Sequence, residues 1–169
     1  MKQAVGDLFT YDPTPPITIV PESVEELLNY HSSIKKSVLR CITTNGVVNK
    51  NGSLVMGAGI AKKAKKKFME IPHLFDQRID EKGLHVHILD KYGVASFPTK
   101  YHWKEKSDLN LIIKSCRELV FLAKKWEYVL LPPPGCTNGG LLWEEVKPHL
   151  EHLLADDKFV IVHAYNYQQ

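Results

Sequence analysis

The sequence predicts an α/β domain built from stacked layers of strands and helices. Short β-rich runs alternate along the chain with amphipathic helical runs, which is the order found in layered α/β folds. Two glycine-rich loops each follow a predicted strand and precede a predicted helix. Because 169 residues suit one domain with one core, we treat residues 1–169 as a single domain.

Composition restricts the class of protein. Hydrophobic residues make up 44% of the chain and charged residues 24%, which is ordinary for a globular domain, and the net charge of +3 permits an anionic ligand. No apolar run approaches the ~20 residues that cross a bilayer. Residues 1–13 lack the basic and apolar segments of a signal peptide. We therefore expect an intracellular, cytoplasmic protein with no membrane partner.

The first half of the chain is predicted to run from strand to helix twice. We predict a strand over 5–10, an extended connection or edge strand over 14–21, a helix over 22–36 and a central strand over 37–48. In 56–68 the glycines give way to a helix with four residues on one face: Ile60, Ala61, Ala64 and Phe68.

The second half continues the alternation. Strands are predicted over 84–89 and 93–97, joined by a short turn. A long amphipathic helix capped by Ser107 should extend to Lys125. Its inward residues are predicted to be Leu109, Ile112, Ile113, Cys116, Leu119, Val120 and Ala123. A strand over 128–131, a helix over 143–154 and a last strand over 159–165 complete the domain.

The glycine-rich loops lie in 51-NGSLVMGAGIAKKAKKKF-68 and 131-LPPPGCTNGGLLWEEVKPHL-150. Glycine allows positive φ and a close approach of the backbone, and a helix that begins there can receive a phosphate. Two such loops side by side suit a diphosphate. Neither contains the phosphate-loop motif or the dinucleotide-binding fingerprint, and each read alone fits a tight turn equally well.

No metal site is predicted. Cys41, Cys116 and Cys136 form no C-x-x-C pair, which also argues against a disulfide framework. His85 and His87 share one face of a predicted strand but have no third ligand at a sensible spacing.

Five motifs, taken in order, resemble the macro domain family. They are V-G-D-L-F, T-T-N-G-V-V-N, V-M-G-A-G-I-A, F-P-T-K-Y-H-W-K-E-K-S and P-P-P-G-C-T-N-G-G-L-L-W. The pattern is similar to the branch that holds the DarG antitoxin macro domain and the terminal ADP-ribose protein glycohydrolase. It covers residues 4–10 and 37–165, whereas residues 12–36 resemble an extra connection. The resemblance implies a three-layer α/β/α sandwich around a mixed, mostly parallel six-stranded sheet, with ADP-ribose as its ligand and no cofactor.

The resemblance also assigns residues to the two ends of the ligand. Asp7, with Leu8 beside it, corresponds to the carboxylate that accepts a hydrogen bond from the adenine amino group, and Tyr165 to an aromatic ring that stacks on adenine. Asn45 and Asn49 fall where the family has asparagines near the distal ribose. Which of the two acts there stays open, because the loop that follows them is long.

The diphosphate is assigned to the two glycine-rich loops. The predicted ADP-ribose-binding residues in the first loop are Val55, Met56, Gly57, Ala58, Gly59 and Ile60. Those in the second are Pro133, Gly135, Cys136, Thr137, Asn138, Gly139, Gly140 and Leu141.

Lys100 resembles the catalytic lysine of the family. A lysine can attack the anomeric carbon C1″ of ADP-ribose as the neutral amine, or polarise it when held close. Asn45 and Asn49 are the other candidates for a part in catalysis. His102 and Trp103, just beyond Lys100, are expected to line the substrate entrance or, for the tryptophan, to anchor the loop.

One position departs from the protein glycohydrolase. That enzyme has an aspartate four residues before the tryptophan of the second loop, where this chain has Gly139. The resemblance therefore implies an ADP-ribosyl glycohydrolase that acts on ADP-ribosylated thymidine in DNA. Three alternatives are open: a reader module that binds ADP-ribose without catalysis, a phosphatase acting on ADP-ribose 1″-phosphate, and a protein mono-ADP-ribosyl hydrolase.

The expected partners follow from these alternatives. They are ADP-ribose and ADP-ribosylated DNA or protein. The resemblance to the antitoxin branch adds a cognate ADP-ribosyltransferase toxin as a candidate partner. The lysine run at 62–67 fits either DNA phosphates or the solvated face of a helix. We expect a monomer.

Overall fold

A six-stranded sheet between two pairs of helices organises the computed structural model, which describes residues 1–14, 23, 25 and 37–165. The strands are β1 (Lys2–Val5), β2 (Val38–Thr44), β3 (Val48–Asn49), β4 (Ser53–Leu54), β5 (His87–Leu89), β6 (Val94–Pro98), β7 (Tyr128–Leu131) and β8 (Phe159–His163). The helices with described bounds are α1 (Gly59–Lys67), α2 (Ile71–Lys82), α3 (Leu109–Leu122) and α4 (Trp143–Leu153), with a 3₁₀ turn over Asp90–Tyr92.

The main sheet has the order β1-β8-β7-β2-β6-β5, and β3 pairs with β4 in a separate small hairpin. All neighbours in the main sheet are parallel except β5, which runs antiparallel to β6. This confirms the predicted mixed, mostly parallel sheet. Its consequence for function is that five strands end at the same edge, where α/β proteins bind ligands.

Both faces of the sheet are buried because alternate strand residues are apolar on each side. On one face, α3 and α4 pack residues such as Ile112 and Val146 against Leu39 and Val129 of the strands. On the other face, residues of α1 and α2, among them Phe75, form a second cluster with strand residues such as Ile42. A sheet covered on both faces explains why the strands read as near-continuous apolar runs.

The first strand lies earlier than the predicted 5–10. The backbone turns at Asp7, whose side-chain Oδ1 accepts a hydrogen bond from the Phe9 N–H at 2.9 Å and whose carbonyl accepts one from the Tyr11 N–H at 2.8 Å. An aspartate that bonds its own following backbone favours a turn over a strand. The strand prediction over 5–10 was therefore wrong beyond Val5.

The long helix begins one residue later than a Ser107 cap implies. Asp108 is the cap, and its Oδ1 accepts a hydrogen bond from the Leu111 N–H at 3.0 Å. Leu111 is buried, whereas Val120, predicted to face inward, is 37% exposed. The helix ends at Leu122, three residues before Lys125.

Helix α2 had no counterpart among the predicted elements. Its sequence IPHLFDQRIDEK buries only Ile71, Pro72 and Phe75 fully, so its apolar stripe is short. The strands predicted over 84–89 and 159–165 are shorter in the structure, as β5 and β8.

The remaining predictions for the first half lie outside the described residues. These are most of the extended connection over 14–21 and nearly all of the helix over 22–36. Within the described part of the chain, no helix combines the length and apolar character needed to cross a bilayer.

Candidate functional site

A cavity of about 880 Å³ opens where the five parallel strands end. Residues from the segments that follow β1, β2, β6, β7 and β8 line it, together with the start of α1. This volume lies within the range of cavities that enclose small organic ligands and cofactors. The topology therefore brings into one place motifs that are more than a hundred residues apart in sequence.

Asp7 and Tyr165 follow the paired ends of β1 and β8, and both line the cavity. The Asp7 carboxylate accepts hydrogen bonds from the Phe9 N–H at 2.9 Å and from Lys63 Nζ at 3.2 Å. The Phe9 N–H, assisted by Lys63, holds the pKa of this carboxyl below its ordinary value. Asp7 is therefore an ionised acceptor at neutral pH, and the exposed ring of Tyr165 lines the same cavity.

The first glycine-rich loop leads into α1. Gly59 has a positive φ of 52°, and no side chain caps the helix at Ala58. The first turn contains no acidic residue. Free N–H groups and the positive end of the helix dipole therefore face the cavity, which favours an anion.

The second loop packs against both the first loop and the start of α3. The Gly139 carbonyl accepts a hydrogen bond from the Ser107 N–H at 2.8 Å, and the Gly135 carbonyl accepts one from the Leu141 N–H at 2.9 Å. A Cβ added to Gly59 would lie 2.6 Å from Asn138 Nδ2. The two loops are thus in contact and line one continuous cavity.

Lys100 lies two residues beyond the end of β6 and contacts the second loop. Its side chain is 9% exposed, and its Nζ donates a hydrogen bond to the Asn138 carbonyl at 3.0 Å. Thr99 ties the segment to β2, since its N–H donates to the Thr44 carbonyl at 3.0 Å. The Lys100 amine is therefore held in a defined position on the cavity wall.

Most of the residues predicted to bind ligand line the cavity. The lining includes Asp7, Leu8, Asn45, Val55, Gly57, Ala58, Gly59, Ile60, Lys100, Trp103, Pro133, Gly135, Thr137, Asn138, Gly139 and Tyr165. The roles assigned to them stay predictions.

Six predicted residues lie outside that lining. They are Asn49, Met56, His102, Cys136, Gly140 and Leu141. Met56 is buried in the core, and the Cys136 thiol lies under its loop, where burial, with Glu144 and Glu145 nearby, raises its pKa to about 12. Only the backbone of Cys136 is therefore suited to contact a ligand.

The structure distinguishes the two asparagines. Asn45 lines the cavity, whereas Asn49 is exposed on the β3–β4 hairpin. The Asn45 Nδ2 donates to the Val55 carbonyl at 3.0 Å and its Oδ1 accepts from the Val47 N–H at 2.9 Å. Asn45 therefore braces the base of the hairpin while it faces the cavity.

Sequence reasoning missed several lining residues. These are Gly6, Thr43, Thr44, Ala61, Lys63, Thr99, Ser107, Pro132, Val162 and Ala164. Thr44 and Thr99 lie at or just beyond the ends of parallel strands, a position that could have singled them out. Ser107 was assigned to a helix cap, and only the Asp108 cap frees its hydroxyl for the cavity.

The sheet order, the two contacting loops and the cavity at the strand ends define a macrodomain-like α/β fold. The macrodomain of Mycobacterium tuberculosis DarG superposes with a TM-score of 0.70 at 23% identity, covering 96% of this chain and 95% of that one. The resemblance to DarG macrodomains that the motifs indicated is thus confirmed. Thermosipho africanus DarTG in complex with ADP-ribose matches with a TM-score of 0.62 and 26% identity, over 80% of this chain and 40% of that one.

The curated relatives carry a function in their name. The DNA ADP-ribosyl glycohydrolase of Thermus aquaticus (strain ATCC BAA-2747 / Y51MC23) is 27% identical over 111 residues, which is 59% of this chain and 31% of that protein. The match thus spans about a third of the relative's length. No family model matches the chain.

Proposed function

We propose that this macrodomain binds ADP-ribose in the cavity and removes it from ADP-ribosylated thymidine in DNA. The diphosphate would lie between the two loops, where the N-terminal N–H groups of α1 and the N–H groups of the second loop act as donors. Backbone donors at a helix start suit an anion without requiring a metal. The ADP-ribose bound by the Thermosipho africanus protein supports this choice of ligand.

The two ends of the cavity give the ligand a direction. Adenine would lie beside Asp7, whose ionised carboxylate can accept a hydrogen bond from the exocyclic amine, with Tyr165 stacked on the ring. The distal ribose would then reach Asn45 and Lys100 at the other end. This orientation brings C1″ to the buried amine.

The position of Lys100 is the observation that carries the proposal. As a neutral amine, its Nζ would attack C1″ and break the bond between C1″ and the base. The base would leave with a proton taken from water. Water would then release ADP-ribose and restore the amine. As an ammonium held at the same place, it would instead stabilise charge on the departing group. Either route needs an amine held near C1″, and the hydrogen bond from Lys100 Nζ to the Asn138 carbonyl supports this by fixing the amine on the cavity wall.

The choice of a DNA base as the leaving group rests on the lack of a partner carboxylate. Among the described residues that line the cavity, Asp7 is the only acidic one, and it pairs with Lys63 at the adenine end. Gly139 occupies the position of the protein glycohydrolase aspartate. The name of the curated relatives supports the same substrate.

The decisive measurement is the release of ADP-ribose from a single-stranded oligonucleotide ADP-ribosylated on thymidine. We expect Lys100→Ala to lower kcat/KM at least about a hundredfold, since it removes the reacting amine. The dissociation constant for free ADP-ribose, measured by calorimetry, should change less than about tenfold. Lys124→Ala, which removes an exposed lysine after α3, serves as the matched control.

Other results would select another function. Equal release by wild type and Lys100→Ala would remove the catalytic assignment. Tight ADP-ribose binding without release from DNA, glutamate-linked, serine-linked or O-acetyl substrates would indicate a reader module. Release of ADP-ribose from modified peptides alone would indicate a protein mono-ADP-ribosyl hydrolase. Release of phosphate from ADP-ribose 1″-phosphate would indicate a phosphatase.

A further inference from the structure

The loop between Lys100 and Ser107 carries side chains that the proposed chemistry does not use. We call residues 101–106 the rim loop. Tyr101 is 56% exposed and Trp103 is 51% exposed, and Trp103 also lines the cavity. The loop that follows Lys100 therefore presents two large aromatic rings to solvent, and Trp103 lines the same cavity as Lys100.

The rim loop is held in shape by its own hydrogen bonds. The Glu105 N–H donates to the His102 carbonyl at 3.0 Å, and the Lys104 N–H donates to His102 Nδ1 at 3.2 Å. The Tyr101 carbonyl accepts from the Gly46 N–H at 3.0 Å, which anchors the loop to the segment after β2. The exposure of Trp103 is thus a feature of a defined turn.

One neighbour of Trp103 is aromatic and another is cationic. The His102 ring stacks on the indole with a centroid distance of 5.4 Å and an interplanar angle of 27°. Lys104 Nζ lies 5.1 Å from the ring centroid. An indole in this setting combines a stacking surface with a positive charge, which is the composition of surfaces that bind unpaired bases.

The charge of the rim loop also favours a polyanion. Lys104 and Lys106 are exposed, whereas the Glu105 carboxylate bends back to accept a hydrogen bond from the His102 N–H at 3.3 Å. The rim loop therefore exposes two cations and one anion, and the anion is already engaged by the His102 N–H. The two lysines lie one residue to either side of the engaged carboxylate, close to the mouth of the cavity.

We propose that the rim loop is a binding platform for single-stranded nucleic acid, in which a base next to the modified nucleotide stacks on Trp103. Lys104 and Lys106 contact the neighbouring phosphates. This proposal rests on the proposed function for its choice of nucleic acid, because an ADP-ribose joined to a base would lead the strand over the rim loop. Only unpaired bases expose the ring faces that an indole can cover.

The test is a binding measurement that does not depend on catalysis. We would measure fluorescence anisotropy of a labelled, unmodified thymidine oligonucleotide of about 12 nucleotides, a length that one binding surface can engage. Trp103→Ala should weaken binding about tenfold and Trp103→Phe less than about threefold, because phenylalanine retains a stacking face. Phe121→Ala is the control, since it removes an aromatic ring that is 69% exposed on α3.

Three results would overturn the platform. They are equal oligonucleotide affinity for Trp103→Ala and wild type, equal losses for Trp103→Ala and Phe121→Ala, and no binding of the oligonucleotide by wild type. A further outcome concerns protein substrates. If Trp103→Ala weakens binding of an ADP-ribosylated peptide by the same factor and wild type does not bind the oligonucleotide, the rim loop binds polypeptide and the nucleic-acid platform is rejected.

The release assay separates this proposal from the proposed function. If wild type releases ADP-ribose from DNA but Trp103→Ala does so with unchanged KM, the platform fails and the hydrolase stands. If the oligonucleotide binds through Trp103 while no substrate is hydrolysed, the hydrolase fails and the platform stands. The unfolding midpoint of each variant, measured alongside, distinguishes a local loss from unfolding.

Discussion

Two hydroxyl groups in the cavity wall are buried without a hydrogen-bond partner among the described residues. Thr44 Oγ1 and Ser107 Oγ have this property, and both residues line the cavity. A buried, unsatisfied polar group costs about 1–3 kcal/mol. Since proteins seldom retain that cost without a use, these hydroxyls are expected to bond to ligand or to cavity water.

Ser107→Ala tests this expectation. Removing an unpaired hydroxyl should leave the free energy of unfolding unchanged or slightly higher, and should weaken ADP-ribose binding about fivefold, the loss of one hydrogen bond of about 1 kcal/mol. Chemical denaturation and calorimetry provide the two measurements.

Ser115→Ala is the matched control for that substitution. Ser115 is also buried, but its Oγ donates to the Pro98 carbonyl at 2.8 Å in the core. Its removal should lower the free energy of unfolding by about 1–3 kcal/mol and leave ADP-ribose affinity unchanged. The assignment would be refuted by the reverse pattern, in which Ser115→Ala weakens ADP-ribose binding and Ser107→Ala lowers the free energy of unfolding.

The two glycine-rich loops use their glycines for different purposes. At Gly139 the backbone packs against neighbours so closely that an added Cβ would lie 2.1 Å from Ser107 Oγ and 2.4 Å from the Gly135 carbonyl oxygen. At Gly57 an added Cβ would meet nothing within 4 Å. Gly139 is thus required by packing within the protein, whereas Gly57 leaves open space where a ligand can approach.

Replacing each glycine by alanine should therefore give different effects on stability. We expect Gly139→Ala to lower the free energy of unfolding by about 1–3 kcal/mol, the usual cost of overpacking. Gly57→Ala should be neutral, because its backbone needs no positive φ and the methyl group has room. Denaturant titration of both variants checks this, and equal stability losses would contradict it.

Across the whole domain, two buried histidines link folding to pH. His87 and His163 are both buried, and burial lowers the pKa of each below the ordinary value of 6.5. For His87, the bond to the Gly83 carbonyl opposes the shift, and the nearby positive charges of Lys82 and Arg78 add to it. The folded protein therefore binds these protons less readily than the unfolded chain does.

The sign of the pH effect follows from that difference. The stability that neutral histidines contribute is fully present above pH 6.5, the value for an ordinary histidine, and is lost as the pH falls below it toward the lowered folded values. We expect the thermal midpoint to fall by several degrees on going from neutral to mildly acidic pH. Calorimetric scans would measure this, and His87→Gln should show a smaller decrease over the same interval.

Much of the site could be predicted because its groups lie in short motifs. Gly59 and Gly135 belong to segments whose composition indicates a strand, a loop and a helix start in succession, whereas Lys100 lies in a motif that resembles the macro domain family. Which of Asn45 and Asn49 lines the cavity could not be predicted, because it depends on the path of the β3–β4 hairpin. Ser107 was likewise misassigned as the helix cap. Ser107 and Asp108 can both cap a helix, and which of them does so depends on the packing around them.

The sequence by itself determined the α/β alternation, the two glycine-rich loops between strand and helix and the lysine after β6, since each lies in a local pattern of a few residues. Only the tertiary structure decided that Asp7, Lys100 and Ser107 share one cavity and that Trp103 stands at its mouth. The physical reason is that the order of strands in the sheet joins segments far apart in the chain. The neighbours that each side chain acquires there are a property of the packing and not of its own motif.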